Sequence, residues 1–220
     1  HKTGGTGGSI NTRRKFPQVS ADLRVRYCSP YLKIDVGARL ITHQERFLKG
    51  KYCVVTGERS SESAKRASYA PYEPHRTDRR NGKRIHRWVD HYRPALYVDE
   101  YEVWSMLQRH GMTPHPAYYL GFGRCSCYLC VFSSFNQWST IRKISPERFE
   151  TISNLETEFG VNIHRKLSVI EQANKGTPNE IEPEYIQQAL SYEYDQPILV
   201  DPYDWVMPAG AFHGDKSGPS

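Results

Sequence analysis

Between Lys51 and Ser68 the chain places a strand, a turn and a helix in immediate succession, and this order limits the possible folds more than any other feature. Tyr52, Cys53, Val54 and Val55 form a short β-favouring run closed by Gly57, which reads as a buried strand with Cys53 as a small buried hydrophobe. Ser60 and Ser61 can cap a helix running through Ser68, with Glu62 and Ser63 in its first turn. That succession is the building unit of an α/β sheet. Ile34, Leu40, Ile41, Phe47 and Leu48, interleaved with Arg39, Glu45 and Arg46, predict an amphipathic helix over 34–48. Ala95 to Val98 reads as a second strand, and Asp99 then caps a helix from Glu100 to His110 that buries Val103, Trp104 and Leu107 and stops at Gly111.

Later segments are helical. Ser145-Pro146-Glu147 begins a helix that runs to Phe159 and ends at Gly160, because Pro suits the first helical position and Gly the end. Helix is expected to continue over 162–173, and Glu182-Pro183-Glu184 opens a short one to about Tyr192. The expected organisation is therefore a Gly-rich basic loop over 1–18, an α/β domain over 19–140, a helical extension over 141–200 and an irregular tail over 201–220. Trp104 and Phe149 read as core, and His110 as a cation placed well at a helix C-terminus.

With 220 residues the chain can bury a real core. Hydrophobic residues make up 38% of it, and no window approaches the roughly 18 apolar residues of a membrane span. No charged-then-apolar leader is visible, and the odd, locally clustered set of five cysteines suits a reducing compartment, so a cytoplasmic protein is expected. The net charge of +6 is uneven. His75, Arg76, Arg79, Arg80, Lys83, Arg84, His86 and Arg87 crowd the stretch 75–87 around the turn signal Asn81-Gly82. Either this strip is a solvated loop, or it meets the phosphates of a nucleotide or nucleic acid.

Two places carry chemistry. Cys125, Cys127 and Cys130 lie within six residues, close enough for soft ligands to converge on a metal or cluster; reduced thiols without metal are the alternative. Gly57 to Arg66 follows a strand and opens a helix, where amide groups and the helix dipole favour anions and where Arg59 and Arg66 add planar, permanent positive charge. Glu62 can orient either arginine or simply stabilise the helix start. His115, held between Pro114 and Pro116 beside the cysteine loop, can line a nucleotide crevice or serve structure alone.

Gly57-x-Arg59-x-x-Glu62-Ser63-x-x-Arg66 resembles the corresponding segment of the phosphoadenylylsulfate (PAPS) reductase family of adenine nucleotide alpha-hydrolases, also called N-type ATP pyrophosphatases. Arg26-Tyr27-Cys28 with Leu32-Lys33, then Arg93-Pro94, the Val103-Trp104 helix, His115-Pro116-Ala117-Tyr118, Gly121 and Cys127-x-x-Cys130 follow in that family's order, over roughly 16–133. The resemblance implies a Rossmann-like parallel sheet flanked by helices, with 19–140 its carboxyl-terminal part. It also implies ATP or an adenylylated nucleotide at the sheet's carboxyl edge, bound by Gly57, Arg59, Glu62, Ser63, Arg66 and His115. Arg59, Arg66 and Lys33 would be the catalytic charges for cleavage at the α-phosphate, with sulfur transfer as a possible outcome. By the same resemblance Cys28, Cys125, Cys127 and Cys130 would hold a [4Fe–4S] cluster or tetrahedral zinc.

Two departures matter. The family's Ser-Gly-Gly-x-Asp-Ser pyrophosphate loop is absent, since Thr3 to Ser9 lacks the acidic residue and a preceding strand. The chain also opens on His1 rather than Met. A companion chain or an upstream segment is therefore expected to bring that loop. Further, no cysteine follows Cys130, whereas the reductases use one near the carboxyl terminus. An ATP-pyrophosphatase or sulfur-transfer enzyme is thus favoured over a PAPS or APS reductase whose nucleophile comes from elsewhere. A subunit without catalysis that binds nucleic acid through the 75–87 strip, or serves assembly, is the remaining alternative.

Overall fold

The computed structural model describes residues 3–4, 10–11, 15–17, 19–20, 22 and 25–212. The glycines and arginines of the 5–9 and 12–14 stretches and the last eight residues lie outside that set. The chain divides into two compact units, one of residues 20–99 and one of 1–19 with 100–219.

The 20–99 unit has the α/β character that the Lys51–Ser68 succession predicts. A π-helical segment, Pro30–Ile34, runs into α1 (Asp35–His43), and a 3-10 turn, Glu45–Phe47, leads to a strand, Gly50–Val55. Numbered after the two-residue pair β1 (Thr3–Gly4) and β2 (Ile10–Asn11) in the 1–18 stretch, where the sequence predicts loop, that strand is β3. A 3-10 turn, Ser60–Glu62, and the short α2 (Ala64–Ala67) replace the single helix expected over this stretch. The break falls at Ser63, whose backbone is extended (φ −170°, ψ 157°) so that its hydroxyl can accept the Arg66 N–H at 3.3 Å.

β4 (Tyr72–Pro74) and β5 (Arg87–Tyr92) complete a three-stranded sheet in the order β3-β5-β4. β5 runs parallel to β3, Gly50 opposite Arg87 through Val55 opposite Tyr92, and antiparallel to β4. β5 is where the sequence reading fails. Arg87, Asp90 and His91 interrupt its apolar alternation, so the segment reads as the end of a charge strip. The second strand expected at Ala95–Val98 is instead a turn, because Pro94 has no N–H for a ladder and Leu96 folds back to accept the Ser60 N–H at 2.7 Å. β3 is also not a buried strand. It is an edge of the sheet, with Cys53 exposed and Val55 61% exposed.

The other unit is helical: α3 (Glu100–Arg109), α4 (Pro116–Tyr119), α5 (Phe135–Ile144), α6 (Pro146–Phe159), α7 (Val169–Lys175) and α8 (Pro183–Leu190). Its core gathers Leu120, Trp138, Ile141, Phe149, Val169 and Ala173 from α5, α6, α7 and the loop after α4. Ser134 with Gln137, and Ser168 with Glu171, close reciprocal caps at the starts of α5 and α7. Helix was expected over the whole of 162–173, but 161–168 is a connection. Buried Glu156 draws it inward by accepting the N–H groups of Ile163 at 2.9 Å and Val169 at 3.0 Å. The irregular tail is tied down by Trp205, which packs with Trp104 and donates its indole N–H to the Met112 carbonyl at 2.8 Å.

Two glycines end helices in left-handed conformation with opposite surroundings. Gly111 (φ +58°) has the Val200 carbonyl oxygen 1.9 Å from where a Cβ would stand, whereas Gly160 (φ +66°) faces open space. Gly160→Ala should cost only the left-handed strain, about 1–2 kcal/mol. Gly111→Ala should cost more, because it must also break the Val200 N–H to Gly111 carbonyl bond of 2.8 Å. Urea midpoints of the two variants against the parent check the ranking; equal losses would contradict it.

Candidate functional site

The carboxyl ends of β3 and β5 lie side by side because the strands are parallel, and the residues just past those ends form one connected polar rim. Thr56 extends β3 by one more ladder bond, its N–H donating to the Tyr92 carbonyl at 3.1 Å. Its hydroxyl oxygen lies 2.7 Å from His91 Nε2. On the other side of that ring, His91 Nδ1 is 2.9 Å from Arg93 Nη2. A guanidinium can only donate, so Nδ1 accepts and the neutral ring carries its proton on Nε2, directed at Thr56. The Thr56 hydroxyl in turn serves the Glu58 carboxylate.

Arg93 is the rim's anchor. It is 5% exposed, donates Nη1 to the Ala70 carbonyl at 2.7 Å, pairs through Nη2 with Glu73 at 2.7 Å, and lies over the Tyr69 ring at 4.7 Å. Its Nε is 3.8 Å from Glu58 Oε2, too far for a hydrogen bond, and both atoms are buried without a hydrogen-bond partner. A buried donor facing a buried acceptor across such a gap is where a polar group of a ligand gains most, since each atom has already lost its water.

The titrating groups reflect these neighbours. Burial and the Arg93 charge hold His91 below the ordinary imidazole value, and burial with the neighbouring His91 does the same for His75, whose ring meets that of His91 edge-on at 5.4 Å. For Glu58, burial pushes upward, but the Thr56 hydroxyl, its own backbone N–H, the charge His91 gains when it is protonated at lower pH, and the Arg93 charge outweigh it and leave the carboxyl below its usual range.

The arginines proposed from sequence lie on the segment leaving β3, and Glu62 gathers them. Glu62 Oε2 bonds Arg66 Nη1 and accepts the Arg59 backbone N–H at 3.2 Å, while Oε1 lies 3.8 Å from Arg59 Nε. Glu62 thus orients both cations, and Ser63 fixes the backbone of Arg66. A Cβ on Gly57 would meet nothing within 4 Å, so the rim is open at that point. Lys33 is exposed in the π-helical segment, and no hydrogen bond or ion pair joins it to Arg59, Glu62 or Arg66. His115 belongs to the other unit, where it caps α4 by accepting the Ala117 N–H at 3.1 Å and lines a cavity of about 140 Å³ with Cys127, Phe122 and Gln137.

All five cysteines are free of disulfides; Cys125 and Cys127 are exposed, Cys28 and Cys130 half-buried. The Cys130 sulfur accepts the Phe132 N–H at 3.5 Å. Among the described residues no three His, Cys, Asp or Glu side chains are gathered as metal ligands would be. Nor is any helix among them long and apolar enough to cross a membrane.

Sequence reasoning missed Thr56, Glu58, His91 and the full role of Arg93. The available signal was that the residues one and three past the end of β3 and those at the end of its neighbour must meet if the strands are parallel, and finding it required recognising β5.

Residues 28–132 match the model of the Phosphoadenosine phosphosulfate reductase domain. This segment is similar to that domain. It holds both strands of the parallel pair, Arg59, Glu62, Arg66 and the rim around Arg93. The chain is also 28% identical, over 142 residues, to an uncharacterized 37.8 kDa protein in the gpa 5′ region of Escherichia phage 186. That match covers 64% of this chain and 39% of the phage protein, so the chain spans about two fifths of that relative's length. No solved structure matches the chain.

Because both folded imidazole values lie below the free value of about 6.5, the fold favours neutral rings. Their contribution is complete above that pH and is lost as pH falls towards the folded values. The His91 ring in a proton NMR titration should show a midpoint below about 6.5. The urea midpoint should decline from neutral pH towards pH 5, less steeply in His91→Gln; a His91 midpoint above the free value would contradict the neutral-ring arrangement.

Proposed function

We propose that the rim of β3 and β5 binds an adenine nucleotide, ATP or an adenylylated one, and that the chemistry takes place at its α-phosphate. The observation that carries this reading is the pairing of Arg59 with Arg66 on one carboxylate, at the carboxyl end of a parallel strand, inside the segment similar to the PAPS reductase domain. Two guanidinium groups held by Glu62 are pre-oriented for phosphate oxygens, so little side-chain freedom is lost on binding. The unpartnered Glu58 and Arg93 atoms offer a further acceptor and donor beside them.

In the reaction this reading assigns, a nucleophile on the acceptor attacks the α-phosphorus, pyrophosphate leaves, and the acceptor becomes an adenylate. The two arginines stabilise charge developing on the phosphate oxygens, which is the larger share of such catalysis. Transfer of sulfur to an acceptor activated in this way is the outcome we favour. The pyrophosphate loop is supplied, in this reading, by a companion chain or a further segment.

Calorimetric titration with ATP and with adenosine 3′,5′-bisphosphate tests the binding. Each arginine contributes a charge-assisted hydrogen bond of about 1.5–3 kcal/mol, so Arg59→Ala or Arg66→Ala should weaken binding by roughly 10- to 150-fold. Lys33→Ala should weaken it less. Unchanged affinity in both arginine variants would overturn the reading. Release of pyrophosphate from ATP by the chain together with its loop-bearing companion checks the reaction.

A further inference from the structure

The outward face of the three-stranded sheet has a composition that the nucleotide rim does not explain. Residues paired across the strands share a face, so Lys51, Cys53 and Val55 of β3 lie with Trp88, Asp90 and Tyr92 of β5 and with Tyr72 and Pro74 of β4. This face is open: Val55 is 61% exposed, Tyr72 58%, Tyr92 43% and Trp88 37%. His91 alternates to the opposite face, where Val89 is fully buried. An α/β sheet normally covers both faces; here one presents three aromatic rings.

Cations frame those rings. The Lys51 ammonium lies 4.7 Å and the Arg80 guanidinium 4.3 Å from the centre of the Trp88 ring. The one acid on the face, Asp90, is already neutralised. It accepts from the Tyr72 hydroxyl at 2.5 Å and the Trp88 indole N–H at 2.7 Å, and pairs with Arg80 at 2.5 Å. Those bonds hold its carboxyl below the usual range, the Tyr72 hydroxyl foremost. Arg80 comes from the 75–86 connection between β4 and β5, so its bonds to Asp90 fasten that connection beside the face.

The same contacts divide the basic strip. Arg87 is buried and donates to the Thr77 carbonyl, and Arg76 pairs with Asp35 at 3.2 Å, so these two hold the fold. Arg79, Lys83, Arg84 and His86 remain exposed on the connection that leads to Trp88.

We infer that this face binds single-stranded nucleic acid, its bases stacking on Tyr72, Tyr92 and Trp88 and its phosphates meeting Arg79, Lys83 and Arg84. Tyr72 and Tyr92 are direct cross-strand neighbours. Trp88 lies four residues along β5 from Tyr92, about 13 Å at the usual strand rise, so the rings form a platform rather than one spot. Aromatic platforms flanked by positive charge favour single strands, because a duplex keeps its base faces covered. The overall excess of positive charge adds attraction for a polyanion. The site is separate from the nucleotide rim and does not depend on it.

The test is fluorescence anisotropy of the full chain with labelled oligothymidylate, oligouridylate and a blunt DNA duplex at several salt concentrations. The single strands should bind, with affinity falling as salt rises, and the duplex should bind more weakly; the stronger of the two single-stranded arms tells DNA from RNA. Stacking is worth about 1–3 kcal/mol per base, so Tyr92→Ala should weaken binding roughly 5- to 150-fold, while Tyr92→Phe should retain it. Lys83→Ala with Arg84→Ala, both on the exposed connection and safe for folding, should flatten the log-log salt slope by about 1.4. Arg59→Ala should leave single-strand binding unchanged, which separates this site from the rim. Absent binding at low salt, equal binding of the duplex, or indifference to Tyr92→Ala would overturn the inference, as would a dimer in solution that buries the face and excludes the oligonucleotides.

Discussion

Parallel pairing of β3 with β5 is the constraint from which the chemistry follows. Two strands running the same way deliver their carboxyl ends to one edge, so Thr56 and Glu58 from one meet His91 and Arg93 from the other without any further device. Had β5 run the other way, His91 and Arg93 would stand at the amino end of β3, beside Gly50. The rim then holds itself together by hydrogen bonds whose direction is fixed by Arg93, which can only donate. Arg59 and Arg66 occupy the same edge because the chain leaves β3 there and turns at once into Ser60–Glu62 and α2.

The positive charges of the 20–99 unit divide by burial. Arg87 and Arg93 lie inside and are answered by backbone carbonyls, and Arg93 also by Glu73. Buried guanidinium groups bound in this way hold loops in place, since removing one would leave several acceptors without a donor. Arg59 and Arg66 are half-exposed and share one carboxylate, so they retain positive charge beyond what Glu62 neutralises. Arg79, Lys83 and Arg84 are exposed on their own connection. One excess of basic residues thus supports the fold, the rim and the outer face in turn.

Much of this was legible in the sequence wherever a local signal decided the matter. Gly160 and Pro146 bound α6, and the β-favouring run at 51–55 marks β3 within a residue. The order of motifs from Cys28 to Cys130 pointed to the family whose model matches residues 28–132. What escaped was non-local. β5 carries Arg87, Asp90 and His91 because Thr77, Arg80 and Arg93 wait for them in space, and no periodicity announces partners of that kind. Cys53 looked like a core residue because its neighbours are apolar, yet the strand is an edge and its face is open. Glu62, which the sequence offers either as an orienter of Arg59 or Arg66 or as a brace for the helix start, makes contacts of both kinds, since their spacing along the chain already brings all three within reach.

Phosphate recognition by Arg59 and Arg66 at the rim is reported most directly by NMR of the arginine side chains. Adding adenosine 3′,5′-bisphosphate should shift the Nε–Hε signals of Arg59 and Arg66 and the amides of 57–66, saturating together with one affinity. Saturation elsewhere in the chain with those signals unmoved would contradict it.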